Sequence, residues 1–490
     1  MTRYDPTLLP PDAQAQSIDR VVMINDHCQP KGGAAVLMLS AVCQLRRQGI
    51  PVTLITGDAG DNPELADLGV EVVAAGGADL LKRPKWQAAT RGMYNPDARA
   101  MVAGVVARLD GPGTIYHVHN WSQILTPAIF EALRPVAPRT FLHAHDSFLA
   151  CPNGMFMDYR HLSVCTRVPL SAGCLGTNCD KRSYGHKLWR SARHAALNRC
   201  LDRGAPWGGI LAIHPGQVDG LLRAGYARAS VKVVRNPARA WRRTRVQAER
   251  NRVLVYAGRL EEDKGVMDLV RAARRTGQPL RLIGDGALSA RIARHYPEVE
   301  LAGWQAPSQV GALVRDARAL VLPSHHPEPF GLVIAEAIKC GLPALVAETG
   351  ALAGDVVRLG LGLSFDVFDT DDMDRALVRI RDMDPDDLKE MSKRGMRLGD
   401  QLAHDPDEWM EALMGAVPLG RGRGNGCYIR PAPRSRLNAR RLRSRWRSGS
   451  ISLATPCSSL RRRRAAPCGA RTRSSEPSHR GRVAEANSRL

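Results

Sequence analysis

Two glutamates, Glu328 and Glu336, stand in the pattern E-x7-E within the stretch ALVLPSHHPEPFGLVIAEAIKCGLPALVAETG, from Ala319 to Gly350. Glu328 falls in a proline-stiffened loop and Glu336 on the helix expected over Leu332–Lys339, with Phe330 and Gly331 at the junction. A helix N-terminus offers free N–H groups and partial positive charge to an anion. A carboxylate beside it suits a ligand that is part phosphate and part hydroxyl-rich, which is the character of a nucleotide sugar. Spacing alone also allows Glu328 to complement the helix dipole and Glu336 to be a solvated surface residue.

Two cations, Arg259 and Lys264, flank the turn GRLEEDKG at the end of an apolar run. Arg as a planar fork and Lys as a point charge would meet a pyrophosphate there, or pair with Glu261–Asp263 as surface salt bridges. Earlier in the chain, His117, His119 and Asn120 close one apolar run, and His143, His145 and Asp146 close another. Histidines at strand ends can share a crevice. The pair His145-Asp146 would place an imidazole on a sugar hydroxyl or a developing charge, oriented by a carboxylate. Cys151, Cys165, Cys174 and Cys179 lie in an irregular insertion over 147–190, with His186 as an alternative ligand. Their spacing lacks a C-x2-C knuckle, so they are weak metal candidates beside buried free thiols, and no metal is expected.

These residues need elements to hold them. Arg20–Ile24 reads as a buried parallel strand, and Gly32-Gly33 then opens an apolar helix capped by Gly49. A glycine pair between strand and helix lets backbone approach a ligand. The pattern is not GxGxxG, which disfavours a dinucleotide cofactor, although Asp58 past the second strand could meet a ribose. Strands follow at Val52–Thr56, Val70–Ala74, Thr114–Val118, Thr140–Leu142, Leu211–His214 and Val231–Val234. Residues 238–250 read as a basic linker, after which strand and helix alternate again over 251–400. The expectation is an α/β protein of two Rossmann-like domains facing across a cleft. The first covers 19–237 and the second covers 251–400. Residues 401–419 make a closing helix that returns to the first domain, while 1–18 form a loose leader.

The net charge of +22 invites a nucleic-acid reading, but the segment from Gly420 to Leu490 carries 19 Arg, no Lys and two acids, Glu476 and Glu485. That segment therefore holds +17, leaving +5 on the other 419 residues. Its Arg-, Ser-, Pro- and Ala-rich composition reads as a disordered tail, with too few aromatics between the arginines to bind nucleic acid. The opening residues show no signal peptide, no apolar window spans a membrane, and the scattered cysteines suit a reducing cytoplasm.

In order along the chain, GRLEEDKG, LIGDG and the Ala319–Gly350 stretch resemble the signature of the family-4 retaining glycosyltransferases of the GT-B fold. KGGAAVLML, HAHDSFLACPNG and VRNP resemble that family's first domain, so the likeness covers about residues 20–415. The resemblance implies transfer from a nucleotide-sugar donor, held mainly by the second domain, to an acceptor held mainly by the first, with retained configuration and no required cofactor. It implies Glu328 on the donor sugar, Glu336 on the ribose, and Arg259 and Lys264 on the leaving diphosphate. It further implies Gly32 and Gly33 with amides near that diphosphate, His145 at the reaction centre, and Phe330 and Gly331 in the donor-contacting backbone. His119, Asn120 and Asp146 are acceptor-side candidates. Ala351 departs from the family, which often has glycine after Gly350. The acceptor is expected to be a glycan, lipid or small molecule of surface polysaccharide assembly, and the location the cytoplasm or the inner membrane face. A nucleotide-sugar epimerase of like architecture is one alternative, and an RNA- or anionic-surface-binding protein using the tail is another.

Overall fold

Short apolar runs without polar alternation form strands covered on both faces, and the two large sheets are made of them. The structure, a computed structural model, describes residues 18–417. The tail over 420–490 and the leader lie outside these residues, apart from Ile18. That residue is buried in the first core, which ends the expected leader one residue early.

The first sheet has seven parallel strands in the order β3-β2-β1-β4-β5-β8-β9. They are β1 (Arg20–Asn25), β2 (Val52–Thr56), β3 (Glu71–Ala74), β4 (Thr114–Val118), β5 (Thr140–Ala144), β8 (Gly209–Ala212) and β9 (Val231–Val233). The two-residue strands β6 (Met157–Asp158) and β7 (Ser163–Val164) form a separate antiparallel ladder. The second sheet has six parallel strands in the order β12-β11-β10-β13-β14-β15. They are β10 (Val253–Ala257), β11 (Leu280–Ile283), β12 (Glu300–Gly303), β13 (Ala317–Leu322), β14 (Ala344–Ala347) and β15 (Gly362–Phe365). Strand order reverses between β1 and β4 in one sheet and between β10 and β13 in the other. In such sheets a ligand belongs beyond the carboxyl ends at the reversal.

Helix α1 (Gly33–Arg47) buries Leu37, Met38, Ala41, Val42 and Leu45 at helical spacing against the first sheet. Helix α2 (Tyr184–Leu201) is capped by the Ser183 side chain, so regular structure begins inside the expected 147–190 insertion. Its many cations hide its apolar stripe from a sequence reading. His214, expected at the end of a strand, has left β8 and its ring accepts the Gly216 N–H at 3.0 Å. Helix α3 (Val266–Thr276) follows β10, and α4 (Leu332–Lys339) joins β13 to β14 and stops at Gly341, φ +77.

The segment 238–250 does not hang between the lobes. Val246 and Ala248 are in the second core, and Arg245 donates to Glu249 and to Ser392 Oγ at 2.8 Å. Helix α5 (Pro406–Ala416) begins with a reciprocal cap between Asp405 and Glu408. It places Trp409, Met410, Leu413 and Met414 in the first core beside Met23 and Phe141. A helix that follows the second sheet is thus buried on the first.

Candidate active site

The loops beyond β10 and β13 meet at the second sheet's reversal. Gly265 has φ +67, and a Cβ there would lie 1.8 Å from the Pro323 carbonyl oxygen, so only glycine lets the two loops close. Closure brings the Lys264 ammonium onto the Glu328 carboxylate, where Ser324 Oγ donates at 2.8 Å and His326 Nε2 lies at 3.5 Å. Burial pushes the Glu328 carboxyl up, but Lys264, His326 and Ser324 outweigh it and hold Glu328 below the usual carboxylate range. The Glu328 carbonyl accepts the Ala351 N–H at 3.0 Å, so the residue that departs from the family pattern braces the loop through its backbone.

Arg259 is exposed, and among the described residues its guanidinium meets no carboxylate. Its carbonyl accepts the Tyr256 hydroxyl at 2.8 Å. Burial raises that phenol's pKa, with the Glu328 charge adding to the rise and Arg259 opposing it. Glu336 accepts from Trp241 Nε1 at 3.1 Å. Burial raises its carboxyl to about 7 against that bond.

Gly32 (φ +87) and the exposed Gly33 open α1 in the first lobe, and Gly331 (φ +81) opens α4 in the second. A Cβ at Gly33 would be 3.6 Å from Leu332 Cδ1. The N-termini of two helices, one from each lobe, therefore converge. Both present N–H groups and positive dipole ends to the space they border. The Phe330 side chain is buried in the second core, with its ring edge-on to His214 at 6.5 Å between centroids. Asp355 accepts from Arg235 at 2.9 Å and lies 3.4 Å from His214 Nε2, which adds an ion-paired contact between the lobes.

The histidines form a ladder. Parallel pairing of Val118 with Leu142 sets His119 opposite His143. His117 Nε2 lies 3.1 Å from His143 Nδ1, and His119 Nδ1 lies 2.8 Å from His145 Nε2. Burial holds His117 at about 4 and His145 at about 3, so the ladder is neutral at pH 7. His119 is 2% exposed and touches His145. The residue that orients His145 is therefore His119. Asp146 Oδ1 instead accepts the Phe148 N–H at 2.9 Å, with its carboxyl pushed up to about 6 by burial and by Asp26. The Asn120 N–H donates to Asn25 Oδ1 at 2.9 Å.

Asp58 also accepts locally, from the Cys28 N–H at 3.1 Å, the Thr56 hydroxyl at 2.8 Å and the Gly60 N–H at 3.2 Å. His117, His119 and His143 have ligand atoms within 4.8 Å of one another. Among the described residues no carboxylate joins that group. Cys151, Cys165, Cys174 and Cys179 are buried and unbridged, and His186 is exposed with its Nδ1 on Ser183 Oγ at 2.7 Å. The structure joins Glu328 to Lys264 and the Gly33 turn to α4, while no contact among the described residues joins His145 to Glu328. Ser324, His326, Trp241 and His214 escaped the sequence reading. Only the His-His pair inside the loop motif gave any signal for them.

Two doubly wound lobes with reversal points at the carboxyl edges constitute the GT-B architecture. Residues 238–397 match the family described as Glycosyl transferases group 1, and the second lobe is a domain of that kind. Glycogen synthase of Mycobacterium tuberculosis is 35% identical over 156 residues, which is 30% of this chain and 36% of that protein. The chain thus spans about a third of the length of that relative. D-inositol 3-phosphate glycosyltransferase of Rhodococcus erythropolis is 26% identical, over 87% of this chain and 96% of that protein. Among solved structures, Anabaena HepE in complex with UDP and glucose covers 81% of this chain and 99% of its own, at 17% identity and TM-score 0.56. Sucrose-phosphate synthase from Thermosynechococcus elongatus covers 81% and 97%, at 17% identity and TM-score 0.59. These structures share the fold.

Proposed function

We propose that the protein transfers a sugar from a nucleotide-sugar donor to an acceptor, with retained anomeric configuration. The observation that carries this reading is the Glu328–Lys264 pair at the second sheet's reversal, beside two converging helix N-termini. The UDP and glucose bound by HepE support a donor of this class.

In this reading the donor diphosphate lies against the α1 and α4 N-termini, with Arg259 and Lys264 on its oxygens. Charge that develops on the leaving diphosphate meets donors already in place, which lowers the barrier to breaking the anomeric bond. Glu328, ionised and half-shielded, takes the sugar hydroxyls as Lys264 shifts toward phosphate. Glu336 takes the ribose diol, and His145, held by His119, lines the sugar. The acceptor hydroxyl attacks from the leaving-group face and passes its proton to the departing phosphate oxygen. Gly32, Gly33, Phe330 and Gly331 act through their backbone. His119, Asn120 and Asp146 remain on the acceptor side.

The acceptor is a glycan, lipid-linked glycan or small molecule of surface polysaccharide assembly, met in the cytoplasm or at the inner membrane face. Among the described residues no helix is long and apolar enough to cross a membrane. The test is turnover of nucleotide sugars with and without glycan acceptors. Acceptor-dependent release of nucleoside diphosphate and a product of retained configuration are expected. Donor isomerisation without acceptor would identify an epimerase instead. Activity lost on removal of residues 420–490 would favour the tail-binding alternative.

A further inference from the structure

Past β3 the chain runs along the carboxyl edge of the first sheet before it turns into a helix. The Ala75 N–H donates to the Thr56 carbonyl at 2.9 Å, that of Gly76 to Asp58 at 3.0 Å and that of Gly77 to Gly57 at 2.8 Å. The Leu80 N–H donates to the Gln123 carbonyl beyond β4 at 3.0 Å, and Asp79 Oδ1 lies 3.0 Å from His27 Nε2, between β1 and α1. The segment is therefore fixed on the edge that also carries the Gly32-Gly33 turn and Asn120. Together with the helix Lys85–Thr90 it walls a cavity of about 520 Å³, the size of a small-molecule site.

Among the described residues the walls of this cavity carry Lys82, Arg83 and Arg91 against one acid, Asp97. Asp97 is taken by Arg91, and Lys82 Nζ lies 3.7 Å from Asp79. Arg83 is held differently. Its Nε donates to the Ala78 carbonyl at 2.8 Å, and among the described residues no carboxylate pairs with its guanidinium. A Cβ at Gly77 would lie 2.9 Å from Arg83 Nη2, so glycine there leaves the guanidinium its room on the wall. A backbone carbonyl thus fixes the planar fork, and the anion that would complete it comes from outside the chain. Trp86, on the same walls, is 68% exposed, a large apolar face beside three cations.

We propose that this cavity binds a phosphate group carried by the glycosyl acceptor, with Arg83 as a fork on two phosphate oxygens, Lys82 and Arg91 as further charges, and the Trp86 indole against the carbon skeleton beside the phosphate. It rests on the proposed glycosyl transfer, with the acceptor met by the first lobe. Three cations and one acid leave +2 on the walls, which matches the charge of a phosphate monoester, about −1.5 to −2 at pH 7. A carboxylate would answer only half of it. The bidentate contact with Arg83 orients the group as well as holding it. The phosphate is a handle on the acceptor and takes no part in making or breaking bonds. A free sugar phosphate and a phosphate borne on a lipid offer the same chemistry, and both present carbon to the indole.

The test titrates the full chain calorimetrically with glucose 6-phosphate, inorganic phosphate and glucose, and sediments it with phosphatidylcholine vesicles with and without phosphatidic acid. Binding of glucose 6-phosphate above that of glucose assigns a free phosphate, and sedimentation that needs phosphatidic acid assigns a lipid-borne one. Arg83→Gln should weaken that binding by about tenfold. Lys82→Gln, at a side chain 72% exposed, should weaken it by about threefold. Trp86→Ala should weaken glucose 6-phosphate more than inorganic phosphate. If Arg83→Gln does not fold, Lys82→Gln and Trp86→Ala still decide. A folded chain that binds neither glucose 6-phosphate nor phosphatidic acid vesicles overturns the proposal, as does binding that these substitutions leave unchanged. No donor is present and no transfer is read, so failure here is distinct from failure of the proposed activity.

Discussion

At the scale of residues, the account rests on charge placed before a ligand arrives. Glu328 is ionised because Lys264, His326 and Ser324 outweigh its burial. Glu328→Gln keeps the shape and removes the charge, so kcat/KM for the donor should fall by about 10²–10³-fold in steady-state assays while the melting temperature changes little. Glu336 differs because burial raises its carboxyl from 4.5 to about 7. The folded state therefore holds a proton that the unfolded chain has lost, and stability falls as pH rises from 4.5 to about 7. Glu336→Gln should flatten that part of the stability–pH curve, read by denaturant melts at several pH values. His119→Ala removes the partner of His145. In donor-saturated assays it should lower kcat more than it raises KM, and His119→Asn should recover part of the loss.

Much of this chemistry was readable one residue at a time, but its pairing was not. Strand ends announced His117, His119, His143 and His145. Which ring bonds which depends on β4 lying beside β5, a tertiary fact that the order of residues does not contain. The Trp241–Glu336 bond spans 95 positions and hides inside a stretch that composition marks as a linker. Val246 and Ala248 in that stretch are too few, among so many arginines, to advertise a buried strap.

At the scale of elements, close approach between loops builds the site. Gly265→Ala would drive a Cβ into the Pro323 carbonyl and open the gap between Lys264 and Glu328. It should lower both the melting temperature and donor affinity, seen by thermal unfolding with and without nucleotide sugar. The parallel strands were legible because both of their faces are apolar, and α4 because Gly341 and Pro343 end it. The insertion was legible only as irregular, since α2 conceals its start at Tyr184 under Lys187, Arg190 and Arg193.

For the molecule as a whole, α5 ties the end of the second lobe's chain to the first lobe. Trp409 is fully buried there, with its ring 6.4 Å from His143. Trp409→Ala should cost about 3–5 kcal/mol of unfolding free energy, measured by chemical denaturation. Composition already placed +17 of the net +22 on residues 420–490, which lie outside the described residues. The most direct test of the central claim is calorimetric titration of the intact protein with a panel of nucleoside diphosphate sugars. One donor should bind at micromolar Kd, with affinity reduced at least tenfold by Lys264→Ala and by Glu328→Gln. Folded protein that binds none of them, or binds one equally well in both variants, would contradict it.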